Sequence, residues 1–589
     1  MTAAPSRPTA FRGTLGWLSW AREHFVVVLS VALLLWLVLV PLGTLIIFSL
    51  RLGNPWEPGG FTFEHYATAY STPQTYSMFF NTALLAGFST VISVGLATLF
   101  AFLTERTDMP FRNVAWGLIL VPMAIPGLLF AVSWTFLLSP QIGLFNVWMR
   151  DVLGWFGVDV TSGPLNIYSL WGMVLLEGLR GVTTTFLIMV GAFRAMDPSL
   201  EEAARVAGAS GRRTFFGIFL PLLTPAIFGA TMYSFMTHLE SLEIPLIIGL
   251  PARIHVFPTY IYFTTQRFTP PEYGLAAALG ASFLLVSILL VYAYRYAMRQ
   301  EGRFVTITGK GYRPRLMPLG RWRYVAFGAF FAYFALTIAA PSFVLLWSSL
   351  LPVYMTPSWE LLPDLSLQHY RDILTDSDVW DATRNTIVVA LGAATLTMLL
   401  SLVAAWVVIR KRFRGRTFLD AVTFLPHALP GVIIALAFMF LYLQPPLDGL
   451  GLYGTVWIIV LGLTVSYIAF GGRAMSGALA QVHAELEEAS HVSGAKWLTL
   501  MRRIILPLVL PAFIGGWIWV ASHALRNFSV PLILATRENW VLSVIMWRTW
   551  EDGDPGQTSA LGVLLIIALA VLTVGGRWLV ARMNRRQES

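Results

Sequence analysis

Long runs of apolar residues constrain this chain more than any other feature of its sequence. The first extends from Phe25 to Leu50, and further runs of comparable length follow it along the whole chain. A helix that crosses the hydrocarbon core of a bilayer needs roughly 20 predominantly apolar residues. With 56% hydrophobic and only 12% charged residues, the chain cannot cover its surface with solvated side chains. The sequence therefore predicts an all-α polytopic membrane protein that is partly solvated by lipid.

We predict about twelve transmembrane helices, six in each half of the chain. The predicted spans of the first half are 25–50, 79–104, 116–138, 168–193, 215–239 and 273–297. Those of the second half are 323–350, 384–409, 418–443, 454–479, 504–525 and 558–581. Lys and Arg residues concentrate in the loops on one side, most densely at 295–323 and 410–416. The positive-inside rule places these loops, and with them both termini, in the cytoplasm.

The composition and motifs exclude several classes of protein. The chain has no cysteine, which rules out disulfides, Cys-ligated zinc, iron–sulfur clusters and thiol catalysis. Its net charge of +9 comes from short basic runs between apolar stretches, a pattern of membrane orientation rather than of nucleic-acid binding. The chain has neither a His-Glu-x-x-His helix nor a His cluster for a membrane-embedded enzyme. It also lacks a phosphate-binding loop, because Gly309-Lys310 is followed by Gly311 where Ser or Thr is required.

The chain contains an internal duplication. One block of residues recurs 304 positions later: His65-Tyr66 as His369-Tyr370, Asn81-Thr82 as Asn385-Thr386, and Pro122, Pro126 and Gly127 as Pro426, Pro430 and Gly431. A second block recurs 286 positions later: Glu201-Glu202-Ala203 as Glu487-Glu488-Ala489 and Pro245-Leu246-Ile247 as Pro531-Leu532-Ile533. The change of separation indicates that the second half is shorter in the outer loop after its third span. We therefore predict two homologous halves, 1–305 and 306–589, that form a parallel repeat with a pathway at their interface.

One predicted cytoplasmic loop in each half carries the functional signal. Between the fourth and fifth spans lie Glu202-Ala203-Ala204, Gly208 and Leu220-Pro221 in the first half, and Glu488-Ala489-Ser490, Gly494 and Leu506-Pro507 in the second. This pattern predicts a short helix capped by Asp197, a break at a left-handed glycine, and a second helix. The small residues leave a low face that another protein can approach closely. The alternative is an amphipathic surface helix that only connects two spans.

These loops resemble the EAA loops of binding-protein-dependent ABC importer permeases, which have the type I importer fold. The fused two-half form is most similar to ferric-iron transport permeases. The resemblance implies that 197–212 and 483–498 are coupling helices that dock on ATPase subunits. It assigns ATPase coupling to the twelve motif residues: Glu202, Ala203, Ala204, Gly208, Leu220, Pro221, Glu488, Ala489, Ser490, Gly494, Leu506 and Pro507.

The resemblance also implies the partners of the chain. Two ATP-binding cassette ATPase subunits would bind ATP and Mg²⁺, whereas this chain would bind no cofactor, hold no metal and catalyse no reaction. A soluble substrate-binding protein would deliver substrate on the outer side of a bacterial inner membrane. Aromatic residues of the predicted outer loops 51–78 and 351–383, namely Trp56, Trp359 and Trp380, are either interfacial anchors or part of that docking surface.

The resemblance favours ferric iron as the substrate. The segments 242–249 and 271–278 are similar to the ferric-iron branch of the family, which shades into thiamine, polyamine and phosphonate permeases. A function of another class, an ion-coupled secondary transporter, would need carboxylates in the middle of the membrane. Only Glu177 is well placed for that role, so the ATP-driven importer is the leading interpretation.

A few polar residues within the spans are candidates for the pathway. Glu177 and Arg180 lie three residues apart on one face of the fourth span, where they form either a structural ion pair or part of the pathway lining. His238, Glu240 and Glu243 lie at the outer end of the fifth span. Carboxylates there either face a cationic substrate or a substrate-binding protein, or are solvated at the interface. His427 follows a proline near a probable helix break, and it is either a packing residue or a ligand.

Overall fold

A computed structural model describes residues 25–57, 59–196, 203–204, 206–298, 316–411 and 415–588. Over these ranges the chain is α-helical, and β pairing is limited to two isolated bridges. Ten of the helices are long and apolar enough to cross a membrane, and two bent helix pairs pass the same test when their members are taken together. The predicted all-α polytopic fold is confirmed.

In the described part of the first half we number ten helices α1 to α10, leaving out the four-residue helix Gly211–Thr214 and the π-helical turn Pro245–Gly249. They are α1 Phe25–Ser49, α2 Glu64–Ser71, α3 Pro73–Arg106, α4 Arg112–Leu120, α5 Gly127–Leu138, α6 Leu144–Trp155, α7 Leu170–Ala195, α8 Phe215–Leu239, α9 Phe257–Gln266 and α10 Tyr273–Met298. Where α6 lies in the predicted outer loop of the first half, the second half has only the short 3₁₀ turn Asp448–Leu450. This difference accounts for the shorter outer loop that the repeat predicted.

The second half repeats this order with helices α11 to α21. They are α11 Trp322–Ser349, α12 Gln368–Thr375, α13 Ser377–Arg410, α14 Arg416–Phe424, α15 Gly431–Tyr442, α16 Val456–Ala480, α17 Glu485–Val492, α18 Trp497–Leu525, α19 Ser529–Leu534, α20 Leu542–Glu551 and α21 Pro555–Glu588. Helix α17 lies in the loop predicted to dock on an ATPase, and α13 corresponds to α3.

The third span of each half is broken rather than continuous. Helix α4 runs through the 3₁₀ turn Val121–Ala124 and then bends by 100° into α5, and α14 bends by 110° into α15. The break falls at Pro126 and at Pro430, each of which has an extended backbone and directly precedes a new helix. Proline has no N–H to donate to the preceding turn, so the helix cannot continue through it. The predicted count of twelve spans holds only if each bent pair counts as one.

The two halves interlock through their first helices. Helix α1 packs against α15 of the second half, where the Phe48 and Phe440 rings lie 4.4 Å apart. Helix α11 packs in the same way against the first half, and its Tyr333 hydroxyl donates to the Leu179 carbonyl at 3.0 Å. The first helix of each half is therefore packed against the other half. The interface between the halves forms part of the hydrophobic core.

The repeated His-Tyr pairs fasten a short outer helix to the first helix of each half. The Tyr66 hydroxyl lies 2.8 Å from the Ser49 hydroxyl, and His65 Nε2 lies 3.0 Å from the Arg51 carbonyl oxygen. Tyr370 and Ser349 make the same 2.8 Å contact in the second half. These repeated residues are therefore structural.

The repeated threonines Thr82 and Thr386 fasten the short helices near the interface between the halves. The Thr82 hydroxyl accepts a hydrogen bond from the Phe257 N–H, the first of α9, at 2.8 Å. Thr386 accepts one from the Leu542 N–H, the first of α20, also at 2.8 Å. Since the first N–H groups of a helix have no partner within it, α3 and α13 satisfy the starts of α9 and α20.

Candidate coupling loops and charged interface

The two predicted coupling loops fold alike where the structure describes both. In the second half, α17 exposes Glu488 and Ala489 and buries Ser490. In the first half, Ala203 is exposed and Ala204 is buried, so the exchange of Ala for Ser falls on a position that faces inward. Asp197 and Glu202 lie outside the described residues.

A left-handed glycine ends the loop helix in both halves, as predicted. Gly208 has φ +76° and Gly494 has φ +75°. The Ala209 N–H donates to the Ala204 carbonyl at 3.0 Å, and the Ala495 N–H donates to the Ser490 carbonyl at 3.1 Å. A bond across six residues that closes over a left-handed glycine is a Schellman motif. Glycine is required here because a side chain disfavours this backbone conformation.

An exposed valine stands two residues before each of these glycines. Val206 is 90% exposed and Val492 is 89% exposed, although both are β-branched apolar residues. Neither valine was predicted from the sequence as a functional residue, although the two occupy equivalent positions in the repeat. Each valine is therefore an accessible apolar side chain at the same place in its loop.

The Leu-Pro dipeptides after the loops shape the start of the next span. A π-helical turn, Phe215–Phe219 or Met501–Ile505, comes immediately before each dipeptide. Leu220 donates its N–H to the Phe215 carbonyl, and Leu506 donates to that of Met501. Pro221 and Pro507 are exposed in the first turn of the following helical segment, where proline is tolerated because the preceding turn has widened.

An arginine at the end of α13 anchors the second coupling loop. Arg410 Nε donates to Glu487 Oε1 of α17 at 2.7 Å, and the Trp406 indole N–H donates to Glu487 Oε2 at 3.1 Å. Arg410 Nη2 also donates to the Leu479 and Val482 carbonyls, at 3.2 and 2.5 Å, where α16 ends. Helix C-termini leave carbonyls without internal partners, and the guanidinium satisfies two of them.

The first half repeats the arginine bonds to the end of the preceding span. Arg106 ends α3, is buried, and donates from Nη2 to the Phe193 carbonyl at 2.6 Å and to the Met196 carbonyl at 3.1 Å. These two carbonyls correspond by the repeat to those that Arg410 binds. Neither arginine was predicted from the sequence, although the two occupy equivalent positions in the repeat.

A buried network surrounds Glu177 in the first half. Glu177 accepts a short hydrogen bond from the Ser241 hydroxyl, and its Oε2 lies 3.4 Å from His238 Nδ1. His238 Nε2 lies 3.0 Å from the Ser93 hydroxyl on α3. Glu177 and His238 are 4% and 2% exposed, so His238 is buried rather than solvated at the interface.

Arg180 pairs more closely with Glu243 than with its helix neighbour. Arg180 Nη1 lies 2.8 Å from Glu243 Oε2 and 3.9 Å from Glu177 Oε1. The predicted local pair is therefore the weaker part of a three-residue cluster. Glu243 is only 13% exposed on its side chain, and it faces a guanidinium rather than solvent.

This ion pair lies against the break of the third span. A Cβ built on Gly127, the first residue of α5, would overlap Glu243 Oε2 and lie 2.5 Å from Arg180 Cζ. Only a glycine leaves room for this approach. The start of a helix is electropositive, so α5 adds to the stabilisation of the Glu243 carboxylate.

The second half places a cation where the first has an acid. Arg526, the repeat counterpart of Glu240, donates from Nη1 to the Met123 carbonyl of the broken first-half span. Its Nη2 lies 2.7 Å from His523 Nε2, and His523 Nδ1 lies 2.8 Å from the Trp519 carbonyl. His523 therefore donates from Nδ1 and accepts at Nε2. At this contact the second half therefore carries a positive charge where the first half carries an acidic residue.

The remaining predicted pathway residues lie beside this contact. His427 stacks on Tyr233 of the other half, with ring centroids 5.7 Å apart, so it packs across the interface. Glu240 directly follows α8 and is half-buried. In the outer loops, Trp56, Trp359 and Trp380 are all exposed, which is compatible with both roles proposed for them.

The chain is similar to membrane components of bacterial transport systems. A family model described as "Binding-protein-dependent transport system inner membrane component" matches residues 93–300 and again residues 397–589. The two matches cover more than half of the chain, and each contains one of the two loops.

Several curated relatives match at low identity. A "Ferric transport system permease protein FbpB" of Actinobacillus pleuropneumoniae is 26% identical over 85% of this chain and 70% of its own length. A "Putative ferric transport system permease protein FbpB 1" of Haemophilus influenzae is 27% identical over 79% of this chain and 71% of its own. A "Sulfate transport system permease protein CysT" of Salmonella typhimurium is 28% identical over 38% of this chain and 85% of its own.

Proposed function

Because the chain belongs to the family of binding-protein-dependent transport system inner membrane components, we propose that it is the permease subunit of an ABC importer for ferric iron. The proposal rests mainly on the two loops, which both end in a left-handed glycine and both expose a valine. A symmetric pair of loops suits two ATPase subunits, one bound to each loop. Those subunits supply ATP hydrolysis and bind ATP and Mg²⁺, and both termini of this chain lie on their side, in the cytoplasm.

The interlocked interface supports transport between the halves. Substrate delivered by a soluble binding protein enters from the outer side, and closure of the ATPase subunits alternates access to the pathway. The charged contact around Arg180, Glu243 and Arg526 lies against the broken span of the first half, beside Gly127 and the Met123 carbonyl. An ion-coupled secondary transporter is less well supported, because Glu177 and Glu243 are occupied by Ser241 and Arg180.

Ferric iron is proposed because two relatives that align over more than two thirds of their own length are named for ferric transport. The competing substrates are thiamine, a polyamine and a phosphonate, together with the sulfate for which a shorter relative is named. In such a system the soluble binding protein selects the ligand, so the test belongs to that protein.

A ligand panel on the partner binding protein tests the substrate. The binding protein is isolated by co-purification with this permease and melted with ferric iron, thiamine, a polyamine, an aminophosphonate or sulfate. A ligand that binds the folded state raises the melting temperature by mass action. We expect a shift with ferric iron alone, followed by ATP-dependent uptake of radiolabelled iron in proteoliposomes. A shift with another ligand alone would discard iron and keep the importer.

Substitution of the loop residues tests the importer itself. We expect paired changes, Glu202→Ala with Glu488→Ala or Gly208→Pro with Gly494→Pro, to abolish recovery of the ATPase subunits. Membrane insertion of the permease should stay intact, because these residues lie in loops between spans. Normal transport with both loops altered would refute the assignment.

A further inference from the structure

Two long helices join the coupling loops to the interface between the halves. Helices α3 and α13 each contain 34 residues, and neither has a proline beyond its first turn. In α13, Thr386 and Arg410 are separated by about 36 Å at 1.5 Å per residue. Kinks in helices arise mainly at interior prolines and similar defects, so α3 and α13 are suited to move as rigid rods.

At the loop end, α17 is tied to α13 through a shared carboxylate. Glu487 accepts from both Trp406 and Arg410, and it is only 7% exposed. Charge-assisted bonds to a carboxylate are shorter and roughly twice as strong as neutral ones. A displacement of α17 is therefore passed to α13 rather than absorbed by a loose loop.

At the other end, α13 holds α20. Asn385 Nδ2 donates to the Trp540 carbonyl at 3.0 Å, and Thr386 accepts from the first N–H of α20 at 2.8 Å. Helix α3 holds α9 with the equivalent residues, since Asn81 Nδ2 donates to the His255 carbonyl at 3.2 Å.

Helices α9 and α20 meet across the interface. The Trp547 indole N–H of α20 donates to the Tyr262 hydroxyl of α9 at 3.3 Å. Arg267, directly after α9, forms an ion pair with Glu551 of α20. In the second half the chain of contacts therefore runs from the coupling loop, through Glu487 and α13, to a joint shared by both halves. In the first half the described contacts run from Arg106, which binds the end of α7, through α3 to the same joint.

We propose that Arg410, and Arg106 at the equivalent place, are positioning residues that fix the coupling loops to α13 and α3. These two helices then act as levers that carry loop motion to the joint between α20 and α9. The proposal rests on the proposed function for one point only, namely that ATPase subunits supply the motion. It assigns a role in coupling to residues that lie behind the loop surface, since Arg106 is buried and Arg410 is half-buried.

Two substitutions at opposite ends of α13 test the lever. Arg410→Lys keeps the charge but cannot make all of the guanidinium bonds, and Thr386→Val keeps the shape but removes the acceptor for α20. In the complete importer, we expect both to reduce stimulation of ATPase activity by loaded binding protein by at least about fivefold. Basal ATPase activity and recovery of the ATPase subunits should stay within about twofold of wild type. Arg416→Ala is the matched control, because Arg416 is exposed and lies just beyond the end of α13 that contacts the loop. This variant should change neither the stimulation by loaded binding protein nor the basal ATPase activity.

A spin label separates anchoring from transmission. Because the chain has no cysteine, Val492→Cys places a single label on α17 of the purified permease. Arg410→Lys should increase the mobility of this label, whereas Thr386→Val should not. Unchanged stimulation in Thr386→Val, or unchanged mobility in Arg410→Lys, would overturn the proposal. If loaded binding protein does not stimulate the ATPase activity of the wild-type complex at all, the proposed function fails instead. The mobility of the label then still tests whether Arg410 holds α17 in place.

Discussion

Replacing Gly127 by Ala tests the partly buried ion pair between Arg180 and Glu243 beside the broken span. The added Cβ would overlap Glu243 Oε2, so the 2.8 Å contact between Glu243 and Arg180 must open. Both groups end flexible side chains, so the backbone need not move and the loss is confined to one charge-assisted bond. Such a bond contributes roughly 1.5–3 kcal/mol. Because the Arg180 side chain is 35% exposed and screened by solvent, we expect a loss near the lower limit, about 1.5 kcal/mol.

The second half supplies the control for this experiment. A Cβ on Gly431 would lie 3.2 Å from Val530 Cγ2 and 3.3 Å from Ser529 Cβ, with no ion pair to open. Gly431→Ala should therefore change the free energy of unfolding by less than about 0.5 kcal/mol. Unfolding is followed by tryptophan fluorescence during titration with SDS. In a Glu243→Ala background the loss caused by Gly127→Ala should shrink to the value of the control. Equal losses at the two glycines, or a loss unaffected by Glu243→Ala, would refute the reasoning.

Three further predictions use the same protein. Gly494→Ala should cost about 1 kcal/mol of unfolding free energy because φ is +75° there, whereas Gly515→Ala, with open space in α18, should cost nothing measurable in the same titration. Val492→Asp should lower recovery of the ATPase subunits on affinity purification about tenfold, a loss of roughly 1.4 kcal/mol; equal recovery would remove this valine from the docking surface. Tyr333→Phe should cost about 1 kcal/mol by removing the bond to the Leu179 carbonyl, and an unchanged unfolding curve would contradict the interlock.

Much of the fold could be predicted because a bilayer imposes a simple local rule. A span must be long and apolar, so the position of each span is written in one contiguous run of residues. The duplication then located the two loops, and the left-handed conformation of Gly208 and Gly494 followed from the need to end a helix there. The breaks in the third spans were less accessible, because proline marks a break without giving its angle, and the two bends are 100° and 110°.

The candidate site could be predicted only in part from the sequence. Glu177 and Arg180 could be paired by their spacing on one helix, yet Arg180 binds Glu243 more closely. The anchors Arg106 and Arg410 were missed, because an arginine at the end of a span is normally attributed to membrane orientation. Their partners are backbone carbonyls distant in sequence, and no residue pattern identifies a carbonyl as a ligand.

By itself, the sequence determined a helical membrane protein with two homologous halves and two loops of equal design. These properties depend on contiguous residues: apolar length, proline and glycine positions, and the spacing of a short motif. The tertiary structure alone decided that the first helix of each half packs on the other, and that Arg526 meets the Met123 carbonyl between them. It also decided that α3 and α13 connect the loops to that interface. Such contacts join residues far apart in the chain, and their partners are selected by the packing of whole helices rather than by any local pattern.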